Sequence, residues 1–182
     1  TDRNVTEVKK GFTEALKGSN LKIVYSDYCD NWLAELAAVH MNEGLKITDD
    51  IAGVMCGNDD LAGQAVKVLS ENRLAGKVAL VAQDAELAAC QRIVEGTQYM
   101  TVYKPIEQEA ATAATLAVAL AKGEDITSAD YDIPVTDTIS DGKKEIPYYK
   151  IEPVAVTAEN MDEVIIDSGF HTREDVYLNI KN

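Results

Sequence analysis

The sequence predicts an α/β fold with a doubly wound parallel sheet and irregular C-terminal crossing segments. Short apolar runs alternate along the chain with longer segments in which apolar residues recur at helical spacing. Strands separated by helices of about 10 to 15 residues favour right-handed βαβ crossovers and therefore a parallel sheet. The chain has 182 residues, of which 46% are hydrophobic and 26% charged, so it is long enough to bury one core. We expect a single domain.

Helical spacing of apolar or small side chains predicts the helices. They cover residues 5–16, 32–44, 61–74, 85–94 and 107–121. A glycine lies at or shortly after the end of each one, where glycine readily adopts the left-handed conformation that closes a helix. The last of these helices is rich in alanine, and its small residues cover more than one face.

The predicted strands are short runs of apolar and β-branched residues between the helices. They cover residues 21–25, 51–56, 78–82 and 100–103. After Gly123 the pattern changes, because residues 130–153 contain three of the four prolines and few helical stripes. We expect irregular crossing segments there, with one or two short strands such as residues 148–151.

Three of the predicted strands are followed by a polar side chain: Asn58, Asp84 and Lys104. The carboxyl ends of parallel strands meet at one edge of a sheet, where open α/β folds bind their ligands. A carboxylate accepts hydrogen bonds from hydroxyls, an ammonium donates to them, and an amide does both. The three groups together predict a site for a neutral polyhydroxylated molecule, that is, a sugar.

Each of these residues also has a simpler interpretation. Asn58 and Asp84 directly precede predicted helices, where Asn and Asp cap unpaired backbone N–H groups. Asp59 and Asp60 are alternative caps for the first of these two helices, which weakens the structural need for an amide at position 58. Lys104 has no propensity reason to stand at a strand end, but a solvated lysine accounts for it equally well.

Trp32 is the only tryptophan of the chain and begins a predicted helix. A core position is one interpretation. At the same edge of the sheet, however, its ring is suited to stacking on the C–H face of a sugar.

Composition excludes several classes of partner. A formal net charge of −14 and a pI near 4.5 oppose binding to nucleic acid or to an anionic membrane, since both need a basic face. Cys29, Cys56 and Cys90 lie in separate segments without a Cys-x-x-Cys pair, so we expect buried free thiols.

The sequence lacks several motifs that mark nucleotide-binding proteins and enzymes. Dinucleotide, phosphate-loop and serine-hydrolase signatures are missing, and His40 and His171 have no third ligand type nearby in the sequence. We expect structural roles for both histidines, and we expect no catalysis, no cofactor and no bound metal.

Several ordered segments resemble one known family. They are residues 31–33 (NWL), 58–63 (NDDLAG), 74–78 (LAGKV), 83–88 (QDAELA), 96–106 (GTQYMTVYKPI) and 168–171 (SGFH). These segments resemble the D-xylose-binding proteins of bacterial ABC transporters, a family of type I periplasmic sugar-binding proteins. Residues 1–182 resemble only the second, C-terminal lobe of these proteins.

The resemblance implies a ligand site for D-xylose or a related monosaccharide. It implies that the ring of Trp32 stacks on the pyranose and that Asn58, Asp84 and Lys104 hydrogen-bond its hydroxyls. It also places Asn4 and Asp2 at the edge of the pocket.

The resemblance further implies partners and location. In this family two lobes close on the sugar, and residues of about 106–124 would pack on the absent N-terminal lobe. The expected partner is an ABC permease, or alternatively a membrane sensor histidine kinase if the chain is a sugar-sensing module. We expect an extracytoplasmic location, in the periplasm or as a cell-surface lipoprotein. Without the first lobe, we expect the chain to self-associate through residues 107–121, to swap this helix between copies, or to complement a separate first half.

Overall fold

The computed structural model describes residues 2–128, 132–133, 135 and 137–180, and the chain divides into two compact units. The first unit extends to Tyr103 and resumes at Val154, and the second extends from Lys104 to Pro153. Asp130 and Pro134, which belong to the segment predicted as irregular, lie outside the described residues. No helix in the described ranges is long and apolar enough to cross a membrane.

Helices and strands alternate as the sequence predicts between residues 34 and 122. The helices are α1 (Arg3–Ala15), α2 (Ala34–Ile47), α3 (Asp59–Glu71), α4 (Leu87–Val94), α5 (Ile106–Lys122) and α6 (Arg173–Val176). The strands are β1 (Gly53–Met55), β2 (Ala79–Val81), β3 (Thr101–Tyr103), β4 (Asp137–Ser140), β5 (Glu145–Tyr148) and β6 (Val154–Val156). A 3₁₀ turn (Asp30–Trp32) precedes α2, and a π-helical turn (Asp162–Ile166) precedes α6.

The sheet of the first unit has the order β1, β2, β3, β6. β1 and β2 are parallel, with Val54 opposite Leu80. β2 and β3 are joined by a parallel bridge between Val81 and Met100. β6 pairs with β3 in the antiparallel direction. The predicted parallel α/β sheet is confirmed, with one antiparallel strand added at its edge.

Two clusters of buried side chains form the core of the first unit. One lies among α2, α3 and β2 and includes Leu69 and Leu80. The other lies among α4, β6 and the segment from the π-helical turn to α6 and includes Met161 and Ile165. These four side chains are fully buried, and burial of a large aliphatic side chain stabilises a fold by about 1.5–3 kcal/mol.

The predicted strand at residues 21–25 is wrong, because the structure has no strand there. Leu21, Ile23 and Val24 are exposed by 53%, 48% and 52%. Strand propensity mainly reflects how well a side chain fits a half-buried pleated surface. These residues have neither such a surface nor a ladder partner among the described residues, so their apolar character does not produce a strand.

Two helices begin later than predicted. Asn31 and Trp32 have φ angles of 53° and 58°, so Trp32 ends the 3₁₀ turn and α2 begins at Ala34. Asp84 and Ala85 have φ angles of 107° and 52°, so α4 begins only at Leu87. In both places the left-handed backbone is incompatible with helix continuation.

The second unit contains α5 and a hairpin. α5 ends at Gly123, whose φ of 76° closes the helix as predicted. Ile106, Val118 and Leu120 on this helix are more than half exposed. β4 and β5 pair in the antiparallel direction. The strand predicted at residues 148–151 lies earlier in the chain, because β5 covers Glu145–Tyr148.

Candidate ligand site at the carboxyl ends of the strands

Asn58 follows β1 and caps α3. Its backbone is extended, with φ −154°, and its Oδ1 accepts from the backbone N–H of Leu61 at 3.0 Å. The capping interpretation is therefore observed, and neither Asp59 nor Asp60 replaces it. Capping occupies Oδ1 and does not involve the Nδ2 amide of Asn58, which is a donor.

Asp84 follows β2 and lies in a strained turn. Its N–H donates to the Val102 carbonyl of β3 at 2.9 Å, and its φ of 107° is rare for a residue with a side chain. Asp84 does not cap α4, since the N-cap residue of that helix is Glu86. Strain of about 1–3 kcal/mol per such residue persists only where the surroundings enforce it, which is common at binding sites.

The turns that carry Asn58 and Asp84 are bonded directly to each other. The Asp59 N–H donates to the Gln83 carbonyl at 2.9 Å. In the opposite direction, Gln83 Nε2 donates to the Gly57 carbonyl at 2.7 Å. The two predicted site residues therefore lie on neighbouring segments at the carboxyl edge of the sheet.

Trp32 lies beside the turn that carries Asn58. Its indole is half-buried, and a Cβ added at Gly57 would lie 2.9 Å from its Cζ3. The indole Nε1–H donates to Asp2 Oδ2 at 3.1 Å, which fixes the plane of the ring. The close approach of the ring explains why position 57 is a glycine.

Asp2 and Asn4 lie at the start of α1. Asp2 caps this helix, because its Oδ1 accepts from the Asn4 N–H at 2.8 Å while Oδ2 binds the indole of Trp32. Asn4 is an exposed residue of the first turn. The structure thus brings Asp2, Trp32 and the Asn58 segment together.

Lys104 is the residue after Tyr103, the last residue of β3, and it is half-buried. It is the first residue of the second unit, and its carbonyl accepts from the Ile106 N–H at 2.7 Å. The chain therefore places it after the third parallel strand, as predicted.

Asp59 is a residue of this region that sequence reasoning missed. It is fully buried, and its carboxylate accepts from Thr101 Oγ1 at 2.7 Å and from Gln98 Nε2 at 2.8 Å. Burial raises its pKa above the usual value, while these hydrogen bonds oppose the shift. Helical spacing would have revealed it, because Asp59 lies on the same stripe of α3 as the buried Ala62 and Ala65.

The two histidines have hydrogen-bonded roles in the structure. His171 Nε2 lies 2.8 Å from the Ala85 carbonyl. His40 Nδ1 lies 3.2 Å from the hydroxyl of Tyr25, which also donates to Glu43 at 2.6 Å. The structural roles expected for both histidines remain predictions.

The side chains of Asp27, His40 and Glu43 bring their ligand atoms within 4.8 Å of one another. Hydrogen bonds to the Tyr25 hydroxyl account for this arrangement, since Tyr25 contacts all three groups. The contact with Glu43 is the main cause that raises the pKa of Tyr25, so this hydroxyl stays protonated at neutral pH. The cluster links the segment before the 3₁₀ turn to α2.

The three cysteines are free thiols, as predicted, although only Cys90 is fully buried. Burial raises the pKa of Cys56 and of Cys90 to about 12, so both are protonated and unreactive at neutral pH.

An α/β fold with an amide, a carboxylate and an indole at its strand ends has the features of a ligand-binding domain.

Comparisons with known proteins define the family. The periplasmic binding protein domain family matches residues 1–125, and the chain belongs to this family. A D-xylose-binding periplasmic protein of Haemophilus influenzae is 39% identical over 181 residues, which cover 97% of this chain and 52% of that protein. The D-xylose-binding periplasmic protein of Escherichia coli is 36% identical over 181 residues, covering 96% of this chain and 52% of that protein. The chain thus spans about half the length of these relatives.

A solved structure shows the same fold. It is a carbohydrate transporter solute binding protein from Chloroflexus aurantiacus in complex with D-glucose, with a TM-score of 0.67 and 28% sequence identity. The match covers 80% of this chain and 42% of the other. The family and both relatives are named as periplasmic binding proteins, which classes the chain as a binding-protein domain rather than an enzyme and supports an extracytoplasmic location.

Proposed function

We propose that the chain is the C-terminal, sugar-binding lobe of a D-xylose-binding protein that serves an ABC transporter. The observation that carries this proposal is the joining of three segments at the carboxyl edge of the sheet. The indole of Trp32 lies against Gly57, and the Asn58 and Asp84 turns are bonded through Asp59 and Gln83. Two relatives that align along nearly the whole chain bind D-xylose, which supports this sugar as the ligand.

Each proposed ligand residue has a role that follows from its chemistry. The Asp84 carboxylate accepts from sugar hydroxyls, while Asn58 Nδ2 and the Lys104 ammonium donate to them. The indole of Trp32 covers a C–H face of the pyranose, and the hydrogen bond from its Nε1 to Asp2 holds the ring in place. Asn4, in the first turn of α1 and two residues after Asp2, would contribute at the edge of the site.

We propose that residues 1–182 form one of two lobes and that residues of about 106–124 pack on an N-terminal lobe. Two observations support this proposal: the chain spans about half the length of its relatives, and α5 exposes Ile106, Val118 and Leu120. These side chains point to more than one side of α5, as expected of a helix that packs on more than one surface. The isolated chain would self-associate through residues 107–121.

Binding is tested in the complete protein that carries this chain. We expect calorimetry with D-xylose to show 1:1 binding, and we expect Asp84→Ala and Trp32→Ala each to weaken it by about tenfold or more. Asp49→Ala is the matched control, since Asp49 is exposed and precedes β1, at the end of that strand away from Asn58. Failure of the complete protein to bind D-xylose, or equal affinity of all variants, would exclude the proposed site.

The proposed partner is an ABC permease, and the location is the periplasm or the cell surface as a lipoprotein. A sensor histidine kinase is the alternative partner. With the permease expressed from a constitutive promoter, deletion of the binding protein abolishes xylose uptake if the protein serves transport. Uptake that persists after the deletion would indicate the sensing role instead.

A further inference from the structure

We propose that Asp59 is a positioning residue that holds the turn 84–86 in the conformation that presents Asp84 to the ligand. This inference rests on the proposed function, because it takes Asp84 as a residue that contacts the sugar. Asp59 itself is fully buried and does not reach a ligand.

The turn requires stabilising contacts from other segments, because two successive residues have left-handed backbones. Asp84 has φ 107° and Ala85 has φ 52°, and neither is a glycine. Such conformations persist only where surrounding contacts over-determine them. Without those contacts the two residues would relax toward the commoner regions, and the Asp84 carboxylate would point elsewhere.

Three consecutive backbone amides of the turn are held by β3 and by Asp59. The Asp84 N–H donates to the Val102 carbonyl at 2.9 Å. The Ala85 N–H donates to Thr101 Oγ1 at 3.1 Å, and the Glu86 N–H donates to Asp59 Oδ2 at 3.1 Å. The Thr101 hydroxyl also donates to Asp59 Oδ2 at 2.7 Å. This bond turns the lone pairs of Thr101 Oγ1 toward the Ala85 N–H.

Asp59 Oδ1 determines which groups donate and which accept in a second series of hydrogen bonds, through Gln98 to Arg92. Gln98 Nε2 donates to Asp59 Oδ1 at 2.8 Å, so its Oε1 faces Arg92 and accepts from Nε at 2.9 Å. Arg92 Nη2 donates to the Asp59 carbonyl at 2.9 Å. Each of the three groups that bind the Asp59 carboxylate is therefore a donor.

This arrangement requires an acceptor at both oxygens of position 59. An asparagine there would keep one oxygen for Thr101 and Glu86 but would set its own NH₂ group against Gln98 Nε2. Rotating the Gln98 amide would only move the clash between donors to Arg92. Because a buried donor without an acceptor is costly, the network would rearrange and release the turn.

The test compares Asp59→Asn with the double variant Asp59→Asn/Gln98→Glu in the complete protein. In the double variant the new amide at position 59 donates to the new carboxylate at position 98, and this carboxylate also accepts from Arg92. The net charge and the hydrogen bonds that link positions 59, 98 and 92 are restored. The Met100 carbonyl loses its 3.2 Å contact with Gln98 Nε2 but still accepts from the Ala82 N–H. If D-xylose binding required a carboxylate at position 59 itself, the double variant would not restore it.

We expect Asp59→Asn to weaken D-xylose binding by about tenfold or more and the double variant to recover most of this loss. In parallel, hydrogen exchange should show faster exchange of the Ala85 and Glu86 amides in Asp59→Asn and slower exchange again in the double variant. Thermal unfolding and circular dichroism identify any variant that fails to fold, and the folded double variant then decides the question.

The exchange measurement separates this inference from the proposed function. If the parent protein does not bind D-xylose, the proposed function fails, while the exchange of the turn amides still reports whether Asp59 holds the turn. Wild-type affinity and exchange in Asp59→Asn would overturn the positioning role. A folded double variant that recovers neither affinity nor amide protection would also overturn it.

Discussion

His171 Nε2 lies 2.8 Å from the carbonyl oxygen of Ala85, a residue 86 positions earlier in the chain. Since a carbonyl only accepts, Nε2 is the protonated nitrogen of this imidazole. The turn that carries Asp84 is therefore held from two directions, by Asp59 and β3 through its amides and by the C-terminal segment through this carbonyl.

Removing the His171 side chain should loosen this hold. We expect His171→Ala to lower the free energy of unfolding by about 1 kcal/mol for the lost hydrogen bond. The loss of its ring contact with Phe170, whose centroid lies 4.5 Å away, adds to this effect. Urea unfolding of the complete protein measures it. His171→Gln is the matched control, because its amide can still donate to Ala85, and an equal loss in both variants would contradict the proposed contact.

A methyl group at position 57 should displace the indole of Trp32. In Gly57→Ala the new Cβ would lie 2.9 Å from Trp32 Cζ3, closer than carbon atoms pack. We expect affinity for D-xylose to fall by about tenfold, because the ring shifts from its stacking position. Gly11→Ala is the control, since a Cβ at Gly11 on α1 meets nothing within 4 Å and should leave calorimetric titrations unchanged. Unchanged affinity in Gly57→Ala would mean that the ring is not part of the site.

The pair Asp162 and Arg173 should give a pH-dependent stability. Hydrogen bonds from Arg173 and Tyr177 lower the pKa of Asp162 below its ordinary value of 3.8. A lowered folded-state pKa contributes stability above the unfolded-state value, and this stability is lost as the pH falls through the lowered pKa.

We therefore expect Arg173→Gln to be slightly less stable than the parent protein at pH 7. The difference should vanish as the pH falls below 3.8, the ordinary value for Asp162. Thermal unfolding at several pH values measures this difference. In an Asp162→Asn background, the same substitution at position 173 should show no such pH dependence. A stability difference that is constant with pH would show that the ion pair is not its cause.

The isolated chain should bind D-xylose far more weakly than the complete protein. One lobe leaves about half of the sugar hydroxyls solvated, and the loss of about 4 kcal/mol of contacts corresponds to roughly a thousandfold weaker binding. Calorimetry of both proteins, with circular dichroism to confirm folding, makes the comparison. Equal affinities would mean that the described chain forms the whole site. Light scattering on the isolated chain further tests the proposed self-association, which a stable monomer would contradict.

The sequence predicts most of the local organisation correctly. The apolar periodicity of α3 and the glycine that closes α5 at Gly123 depend on near neighbours, so a sequence pattern identifies them. The polar residues after β1 and β2 were located in the same way. The absence of a strand at residues 21–25 was not predicted, since strand formation depends on a partner strand distant in sequence.

Some features of the candidate site arise only from the tertiary structure. The bond from Thr101 to Asp59 spans 42 residues, and the bond from Glu86 to Asp59 spans 27. The left-handed backbones of Trp32 and Asp84 contradict local propensity and require such distant contacts to persist.

The sequence by itself thus determined an α/β chain with an amide and a carboxylate after successive parallel strands, because these features follow from residue type and spacing. The tertiary structure decided that Asn58 rather than Asp59 or Asp60 caps α3, that Asp59 is buried, and how the Asp84 turn is bent. The physical reason is that a buried carboxylate and a left-handed turn are stable only when distant groups supply their hydrogen bonds.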